Sequence, residues 1–349
     1  MTLGDWLWAI PVFGLLIFIH ELGHFAVAKA FDVHVQEFAL GFGPVLLGFQ
    51  SGETKYNWRA VPLGGFVRMA GMEDGDAADP RGFNRKPVYA RALVIVAGPV
   101  MNFVLAALLH SGFLYFVGVA TSAPVLGEVP VRCLATQVDQ GSGVTCPAYA
   151  AGLRKGDQIV TINGRPVAQW DDILESVKGS DGKALTFRYL RGKQTGEVTV
   201  APIFADARWM VGIQPSSKPV PLGRALVQGP VLTAGISVAW LDSLKEMVVG
   251  RLKPQFSGPV GITREIAETA SRGWDSLLLL TAFLSINLGM FNLLPIPALD
   301  GSRLVFMGVE AVRGRRLDPQ RENMVHFVGF MILIGLMVVI TYGEVITKR

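Results

Sequence analysis

The sequence predicts a polytopic α-helical membrane protein with about four transmembrane helices and one inserted β-rich domain. Three observations predict it. Half of the 349 residues are hydrophobic and only 17% are charged, against about 25% in a typical soluble domain. Four runs are long and apolar enough for the roughly 30 Å hydrocarbon layer of a bilayer. Between the second and third runs the pattern changes to short β-branched stretches separated by Gly, Asn and Asp. The net charge is +4 and no Lys/Arg block forms a nucleic-acid arm. The expected partner surface is therefore the lipid bilayer and not nucleic acid.

The first run covers residues 6–31. No basic residue precedes it and no small-residue cleavage site follows, so it reads as a retained span rather than a secretion signal. It contains FIHELGHFAVA, residues 18–28, with two histidines and a glutamate among apolar neighbours. The stretch from Lys29 to Arg91 carries eight Lys or Arg residues. The second span, 93–120, and the third, 277–299, carry no formal charge. The third ends in NLLPIPALDG, residues 292–301, where Pro295 and Pro297 must break the helix. A loop with five arginines, 301–322, leads to the fourth span, 325–343. Short loops rich in Lys and Arg stay in the cytoplasm. Both basic loops are thus expected inside, both termini outside, and residues 121–276 outside. The stretch LVQGPVLTAGISVAWL, 226–241, is uncharged but only about 16 residues long, and Asp242, Lys245 and Glu246 follow it. It is expected to lie at the interface as an amphipathic helix, because a fifth span would turn the second basic loop outward. The resulting divisions are 1–120, 121–215, 216–274 and 275–349.

In the inserted region, QIVTINGRPV combines a β-branched run with an Asn163-Gly164 turn signal. Residues 171–178 read as a short helix with acidic residues in the first turn. The segment AGLRKGDQIVTINGRPVAQWDDI resembles the core of a PDZ domain. Such a domain either binds a chain end by strand addition or only occupies space above the membrane, and the residues leave both readings open. Cys133 and Cys146 both fall in this external region, where a disulfide is chemically permitted and expected. Two free thiols are the alternative.

The chemistry centres on His20, Glu21 and His24. Residues four apart in a helix lie about 40° apart on one face, so two imidazoles there can hold one metal ion. Glu21 stands beside the ligands without being one, which is the physical content of His-Glu-x-x-His as a zinc hydrolase signature. Intramembrane ionisable groups are rare and usually functional. A hydrolytic zinc site takes three protein ligands and keeps one position open. His110, His326 and His34 are available, but Asp300 is the better third ligand. It follows a proline-broken segment, and irregular backbone at membrane depth is tolerated where it lines a cavity. By helix rise, His20 lies roughly 21 Å along the first span, so both motifs approach the cytoplasmic side.

HELGH in the first span, GPVMN at 98–102, VPLGGFVRMAG at 61–71, FSGPVGI at 256–262 and the Asn-x-x-Pro-x-Pro-x-Leu-Asp-Gly pattern resemble the site-2 protease family of intramembrane zinc metalloproteases, in its bacterial, PDZ-bearing branch. The resemblance covers nearly the whole chain. It implies one Zn2+ held by His20, His24 and Asp300, with Glu21 as general acid/base. Asn102 and Asn292 fall on family motif positions and suit hydrogen bonding to substrate backbone, or alternatively helix-to-helix contact. The family's membrane-associated β-hairpin maps onto residues 56–67, which turn at Gly64 and Gly65 before Phe66, and an edge strand there could hold substrate extended. The implied activity is an endopeptidase that cleaves transmembrane segments of single-span proteins in the bacterial cytoplasmic membrane. Anti-sigma factors or signal-peptide remnants, already trimmed by another protease, are the implied substrates. A PDZ domain between spans two and three would then exclude substrates with bulky external domains. The competing expectation is a membrane-anchored PDZ scaffold with a structural or inactive metal site, which would have no use for Glu21.

Overall fold

The computed structural model describes residues 3–72, 79–133, 144–205, 208–252, 257–315 and 319–346. Phe256 of FSGPVGI and Arg316 of the second basic loop lie outside the described residues. The chain forms two compact units, one of residues Met1–Phe113 with Leu222–Arg349, the other of Leu114–Pro221. The inserted unit is slightly wider than the expected 121–215. In chain order the elements are α1 (Leu3–Leu7), α2 (Ala9–Ala30), the long strands β1 (Val35–Ser51) and β2 (Thr54–Met69), and α3 (Val88–Phe116). The inserted unit contributes α4 (Pro147–Ala150) and α5 (Trp170–Lys178). The chain continues with α6 (Leu222–Val248), α7 (Pro259–Arg272), α8 (Trp274–Leu293), α9 (Asp300–Arg313) and α10 (Pro319–Ile346).

In the helical unit α2 and α8 run parallel and α3 runs against both. Ala9, Val12 and Leu16 of α2 share a buried cluster with Leu277 of α8 and Ile266 of α7. Along α3, Ala106 packs with Ala282, the Ser285 hydroxyl donates to the Asn102 carbonyl at 2.8 Å, and Gly289 rests on Pro99. Small residues allow this proximity, which membrane helices use because lipid offers no hydrophobic drive for their association. At the other end, α9 is held to α3 by a buried Arg91–Glu310 ion pair of 2.6 Å, and its Met307 joins the cluster of Ala28, Val33, Met69 and Val94. A network of Lys29, Glu53, Arg81, Asp32 and Lys86 ties the β1–β2 turn to the end of α2.

The expected β-hairpin is more folded than a single pair. Ala39 of β1 faces both Phe66 and Asn57, and Tyr56 of β2 faces both Phe38 and Phe49. Each long strand is therefore bent back, giving a four-segment mixed sheet in the order 65–69, 35–40, 54–61, 45–51, in which the central pair, 37–40 with 55–58, runs parallel and the two outer pairs run antiparallel. The bends fall at Gly41 and Gly43 in β1 and at Gly64 in β2, with φ of 87°, 84° and 106°. At Gly41 a Cβ would lie 2.5 Å from the Val61 carbonyl oxygen, so only glycine allows the fold-back. Leu46, Leu47, Phe49 and Trp58 leave the far part of the sheet openly apolar, as a membrane-associated element requires.

Among the described residues, five helices, one more than the four expected, are long and apolar enough to cross a membrane. The extra one is α6. The sequence reading stopped at Leu241 because of Asp242, Lys245 and Glu246, but the helix continues through them for 27 residues in all, with Asp242 and Lys245 exposed. The early Gly-Pro pair is accommodated too: Gly229 fits against Ser111 and Ala107 of α3. Thr233 meets His110 at 2.8 Å and Trp240 donates to Asn287 at 2.8 Å, so α6 descends along α3 from the end where α7 packs. Its length is about 40 Å, whereas the connection from Leu252 to Gly258 reaches at most about 20 Å. At Gly258 the chain is back at the starting end, where Glu344 of α10 accepts the N–H groups of Gly258 and Gly261 at 2.6 and 3.1 Å. α6 therefore leans across the bundle, and α8 begins at the same end as α2.

The inserted unit has its own core, centred on Phe187, Ile159, Leu153 and Ile173. Its four-stranded sheet contains Gln158–Ile162, Arg165–Pro166, Leu185–Arg191 and Gln194–Val200. Asn163 and Gly164 both have positive φ, 51° and 76°, as the expected tight turn requires. Asp157 is fully buried and accepts from Arg191 Nε and Nη2 at 2.7 and 2.8 Å. A capping box between Gln169 and Asp172 starts α5. Cys133 and Cys146 are joined by a disulfide.

The end-to-end arrangement predicts labelling. Single cysteines replacing Gly4 and Arg272 should react with an impermeant maleimide from one face of a sealed membrane, and those replacing Arg85 and Arg313 only from the other. Labelling of Arg272→Cys together with Arg85→Cys would mean that α8 runs against α2.

Candidate metal centre

α2 presents His20 and His24 on one face with their Nε2 atoms 3.2 Å apart. The third group arrives from the break after α8. Leu294 is extended, as a residue before proline must be, with φ −68° and ψ 144°. Pro295 and Pro297 prevent helix continuation, Ala298 adopts φ 76°, and Asp300 opens α9. Gly301 lets the chain fold back on α8, since a Cβ there would lie 2.2 Å from the Leu294 carbonyl oxygen. This turn brings Asp300 Oδ2 to 3.2 Å from His20 Nε2 and 3.3 Å from His24 Nε2.

The three atoms form an almost equilateral triangle. A tetrahedral ion with bonds of about 2.0–2.1 Å separates its ligand atoms by about 3.3 Å, so the spacing fits zinc. The polar accounting agrees. Asp300 Oδ2 is buried and has no hydrogen-bond donor among the described residues. His24 Nδ1 is 2.8 Å from the Val94 carbonyl. Donation there places the proton on Nδ1 and turns the Nε2 lone pair inward. His20 Nδ1 lies 3.1 Å from the Asn102 side-chain amide, whose Oδ1 otherwise lacks a partner. The amide orientation that satisfies both groups has Oδ1 accepting from the His20 Nδ1–H, which again leaves Nε2 free for a metal. Asn102 is 0% exposed and sits behind His20. Its side chain meets His20, and its carbonyl accepts from Ser285 of α8.

Close helix approach makes the triangle possible. A Cβ on Gly98 of α3 would lie 2.3 Å from His24 Nε2 and 2.9 Å from His20 Cε1. One on Gly23 would lie 2.3 Å from the Ala97 carbonyl oxygen. The GPVMN element thus supplies a bare backbone surface for the imidazoles, a role its composition alone did not disclose.

Glu21 faces the sheet. Its Cγ lies beside Gly65, where a Cβ would come within 3.2 Å, and its carboxylate is hydrogen-bonded by the Val67 backbone. His20, Glu21, His24 and Asp300 line a cavity of about 770 Å³ together with Gly65, Phe66, Val67 and Asn292. Gly64 makes the bend into that segment and is not on the wall. Arg68 and Arg303 also line the cavity, and sequence reasoning missed both; Arg303 follows Asp300 by three positions on one helix face. The other histidines have different partners: His110 meets Thr233, His34 meets Asp79 at 2.5 Å, and His326 meets the Ala298 amide.

Comparisons with known proteins bear on this arrangement. A family model described as Peptidase family M50 matches residues 8–336. A relative from Clostridium acetobutylicum is 36% identical over 343 residues, covering 97% of this chain and 96% of that one. The chain is 32% identical to the zinc metalloprotease RasP of Geobacillus kaustophilus, over 96% of each protein. It is 31% identical to the regulator of sigma-W protease RasP of Bacillus subtilis, over 96% of this chain and 97% of the relative.

The fit of Gly98 gives a direct test. Gly98→Ala should reduce the metal retained on purification by about tenfold or more, with little loss of folded protein, whereas Gly335→Ala, which has nothing within 4 Å of its would-be Cβ, should retain the parent metal content. Full metal occupancy in Gly98→Ala, measured by elemental analysis, would show that the two helices do not meet this closely.

Proposed function

Because this chain belongs to peptidase family M50 and is similar over nearly its whole length to proteins named zinc metalloprotease RasP and regulator of sigma-W protease RasP, we propose that it cleaves single-span membrane proteins within their transmembrane segments. The chain is a zinc-dependent protease of the site-2 type with several membrane-spanning helices. The observation that carries the finer reading is the triangle of His20, His24 and Asp300, assembled from separate helical segments beside Glu21.

In this reading His20, His24 and Asp300 hold one zinc ion. Bound zinc acidifies water and polarises the scissile carbonyl. Glu21 takes the proton from the attacking water and later delivers it to the leaving amine. The Val67 hydrogen bond and the packing against Gly65 hold its carboxylate toward the cavity. A transmembrane helix hides its peptide bonds, so the substrate must be drawn out straight before hydrolysis. The segment 65–69 is an outer segment of the four-segment sheet and lines the cavity. Its unpaired side suits addition of an extended substrate strand, and Asn292 adds an amide to the cavity lining.

The substrates in this proposal are single-span proteins already trimmed outside the membrane, of the anti-sigma or signal-peptide-remnant kind. The Bacillus subtilis relative's name, regulator of sigma-W protease, supports that class. The basic loops support a bacterial cytoplasmic-membrane placement with the site toward the cytoplasm and the PDZ-like insert outside. A scaffold with an inert metal is disfavoured by the location of Glu21 on the cavity wall.

Co-expression with a single-span substrate tests the reading. Glu21→Gln should keep zinc and lose activity by about 10²–10⁴-fold. Asp300→Ala should lose both zinc and cleavage, and mass spectrometry of the products should place the cut inside the apolar segment. Normal zinc content and proteolysis in Asp300→Ala would remove Asp300 from the ligand set, and a cut confined to a soluble flank would remove the intramembrane assignment.

A further inference from the structure

Asp300 rides on a turn that cannot hold itself. Ala298 lies in the left-handed region at φ 76°, which a residue with a Cβ rarely adopts and keeps only when its surroundings impose it. Its N–H comes after the end of α8 and just past Pro297, so no helical carbonyl receives it, and an unpaired amide at membrane depth is costly. The partner comes from α10: His326 Nδ1 lies 3.2 Å from the Ala298 nitrogen. Accepting that N–H requires a bare Nδ1 and puts the imidazole proton on Nε2. Among the described residues, the carboxylate paired with Nε2 is that of Glu322, at 3.9 Å, beyond hydrogen-bond range. The ring is set edge-to-face against Phe306 of α9, with centroids 5.8 Å apart. Three positions along the same helix, Gly329 abuts Pro297, and a Cβ there would lie 2.2 Å from Pro297 Cβ. Gly329 is the one buried residue among those of α10 whose burial is described. The helix is therefore seated on this turn.

We infer that His326 is a positioning residue for the third metal ligand: by accepting the Ala298 N–H while Gly329 seats α10 on Pro297, it fixes the turn that delivers the Asp300 carboxylate to the two imidazoles. This rests on Asp300 being a zinc ligand, which the Asp300→Ala zinc measurement decides separately.

The test is the rate at which the purified, zinc-loaded full chain surrenders zinc to excess chelator. His326→Phe keeps a ring against Phe306 but removes the acceptor. His326→Asn keeps an acceptor at the position of Nδ1 but removes the ring. His326→Phe should lose zinc about tenfold faster or more, and His326→Asn should stay close to the parent rate. A parent-like rate in His326→Phe overturns the inference, and so does equal acceleration in both variants, which would assign the effect to ring packing. Should His326→Phe fail to fold, the parent protein with ¹⁵N-labelled histidine decides the matter, the His326 signals being assigned from their absence in His326→Asn. The inference requires the Nε2–H tautomer, and an Nδ1–H signal overturns it.

Discussion

Three lone pairs pointed at one another inside a membrane-spanning bundle need a cation between them. Two imidazole Nε2 atoms and a carboxylate oxygen stand 3.2–3.3 Å apart, in surroundings that screen charge poorly. A carboxylate held out of water is costly unless a positive charge stands beside it. Much of the helical unit serves to hold this group together. Val94 and Asn102 set the imidazole tautomers, Gly98 makes room for the rings, and the Arg91–Glu310 pair keeps α9, and with it Asp300, against α3.

The candidate ligands were legible in the sequence because each leaves a local mark. Spacing by four places His20 and His24 on one helix face, and two prolines around Ile296 force the turn that frees Asp300. The Asn163-Gly164 turn was legible for the same reason: positive φ at successive positions has few solutions. What was not legible depends on partners distant in the chain. Arg91 and Glu310 are separated by 219 positions, and nothing near either residue announces the other. Asn102 lay in a recognisable element, but only the fold reveals that its amide meets His20. The doubled sheet escaped notice because alternation within a strand does not specify which segment it pairs with.

The helix α6 shows how a sound local rule yields to tertiary context. Charges after an apolar run usually mark its end, and sixteen residues are too few for a span. Here the side chains of Asp242 and Lys245 project away from the bundle, so the backbone continues as helix past them. Length and composition then admit five crossings, while the packing of α7 against the amino-terminal end preserves the parallel course of α2 and α8 that brings the two metal motifs together.

The seam between α2 and α3 is also a wall. With Gly23 against the Ala97 carbonyl and Gly98 against both rings, no space remains for even a methyl group. A polypeptide cannot be threaded between these two helices without dismantling the metal site. In the proposed function the substrate strand instead adds to the segment 65–69, which lines the cavity with Glu21, Asn292 and Ala298. The same absence of side chains that lets the candidate ligands converge thereby closes one side of the site.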